Sequence, residues 1–206
     1  MNTNFFDALA TDEAATLTRL HLRLEHDADT AGVLDVAYRT IDTPVGTLLL
    51  ATTTVGLVRV AYDVEGHDAV LAKLADAVSP RILRAPARLD TVARQIDEYF
   101  SKRRTTFDVP VDLRLTAGFR RAVVEHLRDI AYGHRESYAA VAAAVGSPKA
   151  VRAVGTACAR NPLPVVIPCH RVVRSDGSTG RYAGGPLAKS TLLDLEAAMR
   201  SALQPA

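Results

Sequence analysis

The sequence predicts an α/β chain of the α+β kind, with a small sheet-containing N-terminal domain and a mostly helical C-terminal domain that carries a helix-turn-helix. Two observations lead there. From Tyr38 to Tyr62, β-rich runs alternate with turn signals, whereas beyond about Leu115 apolar residues recur at helical spacing. In that second half, two short helical patterns are joined by Gly146-Ser147, the usual mark of a helix-turn-helix.

The elements follow in order. Residues 1–35 form an N-terminal extension, helical or disordered, in which Leu17, Leu20 and Leu24 keep helical spacing. Residues 36–114 make the first domain. Thr43-Pro-Val-Gly46 reads as a turn, and Leu48–Ala51 and Leu57–Tyr62 flank Val55-Gly56 as a hairpin. Residues 67–78 and 89–101 read as helices separated by a Pro/Arg-rich break at Ser79–Arg88, and 105–114 connect to the second domain, 115–206. There, Phe119, Val123, Leu127 and Ile130 line one face of a helix over about 116–130. Ser137 caps a short helix from Tyr138 to Val145, stopped by Gly146. Ser147-Pro148, as N-cap and first helical residue, open a second helix that runs to about Arg160 before Asn161-Pro162.

Composition excludes several classes. A chain 48% hydrophobic and 23% charged is ordinary for a globular protein, and no apolar run approaches the ~20 residues that cross a bilayer. Two cysteines, Cys158 and Cys169, are too few for a disulfide framework and fit a reducing cytoplasm. The scattered histidines and cysteines show no ligand spacing, so no metal and no cofactor is expected. Charge is divided unevenly: residues 1–114 carry a net −4 and residues 115–206 a net +6. A basic half suggests an anionic partner such as nucleic acid.

That basic half holds the most reactive arrangement in the chain. In Asn161-Pro-Leu-Pro-Val-Val-Ile-Pro-Cys-His-Arg-Val-Val173, a β-rich run leads to Cys169, with His170 directly after it. Thiolates are strong nucleophiles, and a neighbouring base and cation create them. Successive side chains on an extended segment diverge, so a water between Cys169 and His170 fits better than direct contact. On the preceding helix, Val151, Val154 and Cys158 share one side, expected in the core. Ala150, Ala153, Thr156 and Ala157 make a face without bulk, flanked by Arg152, which suits close approach to a nucleic-acid groove or to another helix.

Taken together, Ser137-Tyr138, Pro148-Lys-Ala-Val-Arg-Ala-Val-Gly155, Asn161-Pro162, Ile167-Pro-Cys-His-Arg-Val172, Tyr182-Ala-Gly-Gly185, Leu192-Leu193 and Glu196 resemble the methylated-DNA–protein-cysteine methyltransferases, the O6-alkylguanine-DNA alkyltransferases. The resemblance spans roughly 36–200 and is densest over 116–196. It implies a ribonuclease-H-like N-terminal domain without nuclease function. It also implies a DNA repair protein that moves an alkyl group from O6-alkylguanine, and from O4-alkylthymine, in duplex DNA to its own Cys169. His170, oriented by Glu196, would draw the proton through a water. Tyr138 would offer its hydroxyl to the base, and Asn161 would tie the active-site turn to the helix before it. Arg152 would fill the stack left by an extruded base while Ala153, Thr156 and Ala157 enter the minor groove. Cys158, Val172, Tyr182, Ala183 and Gly184 would line the base pocket, with carbonyls of Cys169 and Val172 accepting from the base. Gly184 and Gly185 would leave room for the alkyl group.

No second residue is positioned to cleave the resulting thioether, so each molecule would act once, as a monomer when free, with cooperative assembly on DNA left open. A competing reading is a helix-turn-helix DNA-binding protein whose Cys169 senses electrophiles or oxidants. Tyr182-Ala-Gly-Gly185 and Glu196, which a sensor would not need, favour the transferase.

Overall fold

A two-residue turn at Pro44-Val45 folds Val36–Thr43 (β1) back on Gly46–Thr52 (β2), with Thr43 paired to Gly46. Gly46 supplies the positive φ of +99° that the tight reversal requires. Leu57–Tyr62 (β3) continues the meander antiparallel to β2, so the hairpin expected around Val55-Gly56 is present. The computed structural model describes the backbone of residues 3–203 and the side chains of residues 13–198.

The expected break between the first two helices holds a strand. Ile82–Arg84 (β4) pairs in parallel with β1, which gives the sheet order β3-β2-β1-β4. Three residues are too short for an alternation pattern, which is why the sequence does not announce them. Leu48, Leu49, Leu50 and Ala51 of β2 are all fully buried, so both faces of the sheet are covered. On one face Leu49, Ala51, Val58 and Ala61 pack with Val70 and Leu74 of His67–Ala77 (α2). On the other, Leu48, Leu50, Val60 and Tyr62 pack with Val92, Ile96 and Tyr99 of Asp90–Phe100 (α3). The same cluster runs on into Val123, Val154, Cys169 and Leu192, so one core serves both halves of the chain. A backbone bond of 2.8 Å from Val60 N to Pro162 O fastens the sheet to the reactive turn's own loop.

Before the sheet, Thr3–Thr30 (α1) is helical, and its Leu17, Leu20 and Leu24 are exposed. Near its end, Ala28 packs beside Leu34, Ala37 and Ala85. After the sheet come Gly118–Leu127 (α4), Tyr138–Ala144 (α5), Val151–Ala159 (α6) and Gly185–Leu203 (α7). Helix α4 is shorter at both ends than its apolar stripe suggests. Ile130, at 3% exposure, is buried beyond the helix end, in a turn where Ile130 N bonds Leu127 O. Ser137 caps α5 as expected, accepting from Ala140 N at 3.0 Å, and Gly146 follows with φ +72°.

Helix α6 corrects the expected register. Ser147-Pro148 form a turn, closed by Ala150 N to Ser147 O at 2.8 Å, and Ala150 rather than Ser147 is the N-cap. The buried face is Val154, Ala157 and Cys158, whereas Val151 is 37% exposed. Ala157 therefore faces the core and not a groove. Val151, in the first helical turn, extends past the packed part of the face, and the small Ala157 lies over the core instead.

Candidate active site and nucleic-acid groove

Cys169, His170 and Arg171 form one 3-10 turn, not the extended segment expected. The run Val165–Ile167, β-rich by composition, is likewise a tight turn. Ile167 N bonds Leu163 O at 2.7 Å, and Val165 has a φ of +72°. A β-branched residue in that region costs about 1–3 kcal/mol, a strain the surroundings must over-determine. Asn161 supplies part of that determination. Its Nδ2 donates to Ile167 O at 2.8 Å and its Oδ1 accepts from Leu163 N at 3.0 Å, pinning the loop from inside. A two-residue parallel bridge then sets Glu136-Ser137 (β5) beside Val172-Val173 (β6), bringing the start of α5, and Tyr138, next to the reactive turn.

Glu196, 1% exposed on α7, organises the buried polar centre. Its Oε1 accepts from His170 Nε2 at 2.9 Å, from Tyr99 Oη at 2.8 Å and from Arg171 Nη2 at 2.9 Å. Its Oε2 accepts from Gly133 N at 3.1 Å and from Arg171 Nε at 3.0 Å. Burial alone would raise this carboxyl, but the hydrogen bonds and charges of His170 and Arg171 outweigh it and hold it down at about 2. An ionised carboxylate only accepts, so His170 carries its proton on Nε2 and presents the lone pair on Nδ1. That Nδ1 is buried, and no group among the described residues bonds it.

Burial lowers the pKa of His170, which keeps the imidazole neutral and basic on the Nδ1 side. Burial also pushes the Cys169 thiol up to about 11, with the Asn161 side chain and the Lys189 ammonium acting against the rise. The resting nucleophile is therefore a thiol, ionised only when its proton is taken. Cys158 is pushed up further, first by burial and then by Cys169, which marks it as a core residue rather than a second nucleophile.

Lys189 has no part in the sequence-based site, yet it is fully buried, donates from Nζ to Val172 O at 2.6 Å and lies 5.9 Å over the Tyr138 ring. The signal was available in α7, where Ala188, Lys189, Leu192, Leu193 and Glu196 repeat at helical spacing on a single buried face. A lysine and a glutamate seven residues apart on an otherwise apolar stripe need partners inside the protein. Lys189 occupies one lone pair of the Val172 carbonyl assigned to the base, leaving the other. Arg171 also lacked a role in the sequence reading. Here it neutralises Glu196 and lies with Cζ 5.5 Å from the Tyr132 ring centre.

Tyr182, 9% exposed, bonds Tyr62 through their hydroxyls at 3.0 Å, and Ala183 and Gly184 follow, half-buried. The space beside Gly184 is filled: a Cβ there would lie 2.5 Å from Cε1 of Tyr62. The expected room at Gly184 therefore belongs to an aromatic ring. Open space exists at Gly185, where nothing stands within 4 Å of an added Cβ.

Outside this centre, α6 and the loop before α7 enclose an open groove of about 580 Å³. It is lined by Tyr138, Arg152, Thr156, Arg160, Arg174 and Arg181, among others. Arg152 and Thr156 are exposed on this side, together with Arg160, Arg174 and Arg181, which sequence reasoning passed over; Ala153 is exposed but is not part of the groove lining. Four arginines around one groove make it a surface for a polyanion. Burial raises the Tyr138 pKa, which keeps its phenol protonated as a donor at the groove's inner edge.

Comparison with known proteins agrees along most of the chain. Residues 36–113 match the family model described as 6-O-methylguanine DNA methyltransferase, ribonuclease-like domain, and residues 118–198 match its DNA binding domain. A methylated-DNA–protein-cysteine methyltransferase of Mycobacterium bovis is 36% identical over 167 residues, covering 78% of this chain and 92% of that protein. The constitutive methylated-DNA–protein-cysteine methyltransferase of Bacillus subtilis is 39% identical over 160 residues, covering 77% of this chain and 94% of its own. The crystal structure of Mycobacterium tuberculosis OGT in complex with DNA superposes with a TM-score of 0.69 at 34% identity, covering 79% of this chain and 94% of that one.

Proposed function

Because this chain belongs to the methylated-DNA–protein-cysteine methyltransferase family, we propose that it repairs O6-alkylguanine in duplex DNA by transferring the alkyl group to Cys169. The observation that carries this reading is the buried set Glu196–His170 beside Cys169, with an unbonded Nδ1 on the imidazole. A water between the Cys169 thiol and that Nδ1 relays the proton as sulfur attacks the alkyl carbon. The carbon–oxygen bond breaks, and its electron pair leaves with guanine. The imidazolium so formed is balanced by Glu196, as in other nucleophile–base–carboxylate sets. Tyr138, protonated, hydrogen-bonds the base as negative charge develops on it, and Asn161 holds the turn in place. Val172, Tyr182, Ala183 and Gly184, with Cys158 behind them, wall the base pocket.

An intact duplex hides the alkyl carbon, so the nucleotide must be extruded at a cost of a few kcal/mol. Arg152 is exposed on α6 at the groove and fills the vacated stack, while Ala153 and Thr156 approach the minor groove. Residues 36–114 support the site, and residues 115–206 bind DNA and transfer the group. O4-alkylthymine is a second substrate of the same chemistry. The protein works in the cytoplasm, monomeric when free; among its described residues no helix is long and apolar enough to cross a membrane. Replacing Cys169 with Ala tests the reading. Transfer from a methylated oligonucleotide should vanish while duplex binding persists, since the groove's arginines are untouched; residual transfer would overturn it.

A further inference from the structure

Tyr62 ends β3 in the N-terminal sheet and is 1% exposed, yet its hydroxyl leaves that domain. It donates to the Tyr182 oxygen at 3.0 Å, and the two rings meet edge-on with centres 5.7 Å apart at 71°. The same ring fills the space beside Gly184, where an added Cβ would lie 2.5 Å from Cε1 and 2.6 Å from Cζ. Tyr182 in turn stands edge-on to His170, centres 6.3 Å apart. One side chain of the sheet domain thus backs both ends of the segment from Tyr182 to Gly184. Both phenols are also close enough to Cys169 for its charge to raise their pKa, behind the effect of burial.

We propose that Tyr62 is a positioning residue that fixes the wall formed by residues 182–184 and thereby limits the size of the alkyl group Cys169 accepts. The proposal rests on the reading of that segment as a wall of the base and alkyl pocket. The physical ground is close packing: a segment pressed between a buried ring and the incoming group cannot retreat, and a smaller residue behind it would let it do so. The tie between the hydroxyls adds direction, since a buried phenol that loses its partner turns to find another.

The test compares rates on duplexes carrying O6-methylguanine and O6-benzylguanine. Tyr62→Val suits a strand and removes most of the ring; it should raise the benzyl-to-methyl rate ratio about tenfold, the scale of discrimination in an apolar pocket. Tyr62→Phe keeps every ring carbon and guards against loss of fold; it should raise the ratio about threefold, the worth of one net hydrogen bond. Gly184→Ala alone should slow both substrates, and adding Tyr62→Val should restore them by clearing the space. An unchanged ratio in both Tyr62 variants, or no recovery in the double variant, overturns the proposal while leaving the pocket reading intact. Wild-type rates on both substrates in Gly184→Ala would sink the pocket reading and the proposal with it.

Discussion

Glu196 shows how much one residue is asked to do. It accepts from His170, Tyr99, Gly133 and Arg171, so one carboxylate gathers donors from three separate parts of the chain. Glu196→Gln leaves the Arg171 charge buried and unpaired, a change worth about 3–5 kcal/mol, and it should slow transfer because His170 loses its counter-charge. A melting scan beside a single-turnover assay would separate the two effects. The pH dependence has a definite sign. Glu196 and His170 both have folded pKa values below their ordinary 4.5 and 6.5, so the unfolded chain binds more protons than the folded one. Stability is fully present above these ordinary values. It is lost first as pH falls below 6.5 through His170, then below 4.5 toward about 2 through Glu196. Acid melting curves flat across that range would contradict the geometry. Cys169 shifts the other way: its thiol at about 11 predicts that iodoacetamide labelling of the free protein steepens with pH throughout the range below 11, with Cys158 labelled last.

Elements were legible where periodicity is long or capping chemistry is explicit. Ser137 before a run of Ala and Val gives α5 and its cap, and the β-rich runs on either side of Val55-Gly56 give β2 and β3. Ser137→Ala should cost about 1 kcal/mol in melting and disturb Tyr138 at the next position. What escaped is held by tertiary contact. Strand β4 is three residues long, and β5 and β6 are two each; no pattern announces them, because they exist through their partners. Helix α6 misled for a related reason. Ser147-Pro148 is good capping chemistry, but here it makes a turn, and the shift exchanged Ala157 for Val151 between core and surface. In the candidate site, the motif singled out Cys169, His170 and Glu196, and the structure sets the His170–Glu196 pair in the same buried centre as the Cys169 turn. Lys189 was missed although its place on the apolar stripe of α7 marks it as buried, and Tyr62 was missed because a strand tyrosine gives no sign of reaching another domain. On α6, Arg152→Ala should slow repair of duplex more than attack on free O6-benzylguanine, since only the duplex must be opened. Equal slowing would assign Arg152 a structural role.

For the whole molecule, the expected signature is stoichiometric. Titration with excess methylated duplex should plateau at one methyl per chain, on the peptide holding Cys169, because a thioether is a poor leaving group. Product beyond that plateau would refute single use. Binding should weaken steeply with salt as phosphates exchange counterions for Arg152, Arg160, Arg174 and Arg181. Both family models leave residues 1–35 outside, and among the described residues α1 meets the body at Ala28 and through His21 and Asp29.

The partners of Glu196 have a consequence for the life of the chain before it is finished. Tyr99, Gly133 and His170 lie 97, 63 and 26 residues away from it, so the carboxylate's cage is among the most non-local features of the fold. Contacts of such long span must await closure of long loops and are late to form. A ribosome that has just made Cys169 has not yet made the carboxylate that orients its base. The thiol emerges as an ordinary cysteine and becomes a poised one only when the last helix docks. The nucleophile of the proposed transfer is thereby armed at the end of folding, and local opening of α7 would disarm it again.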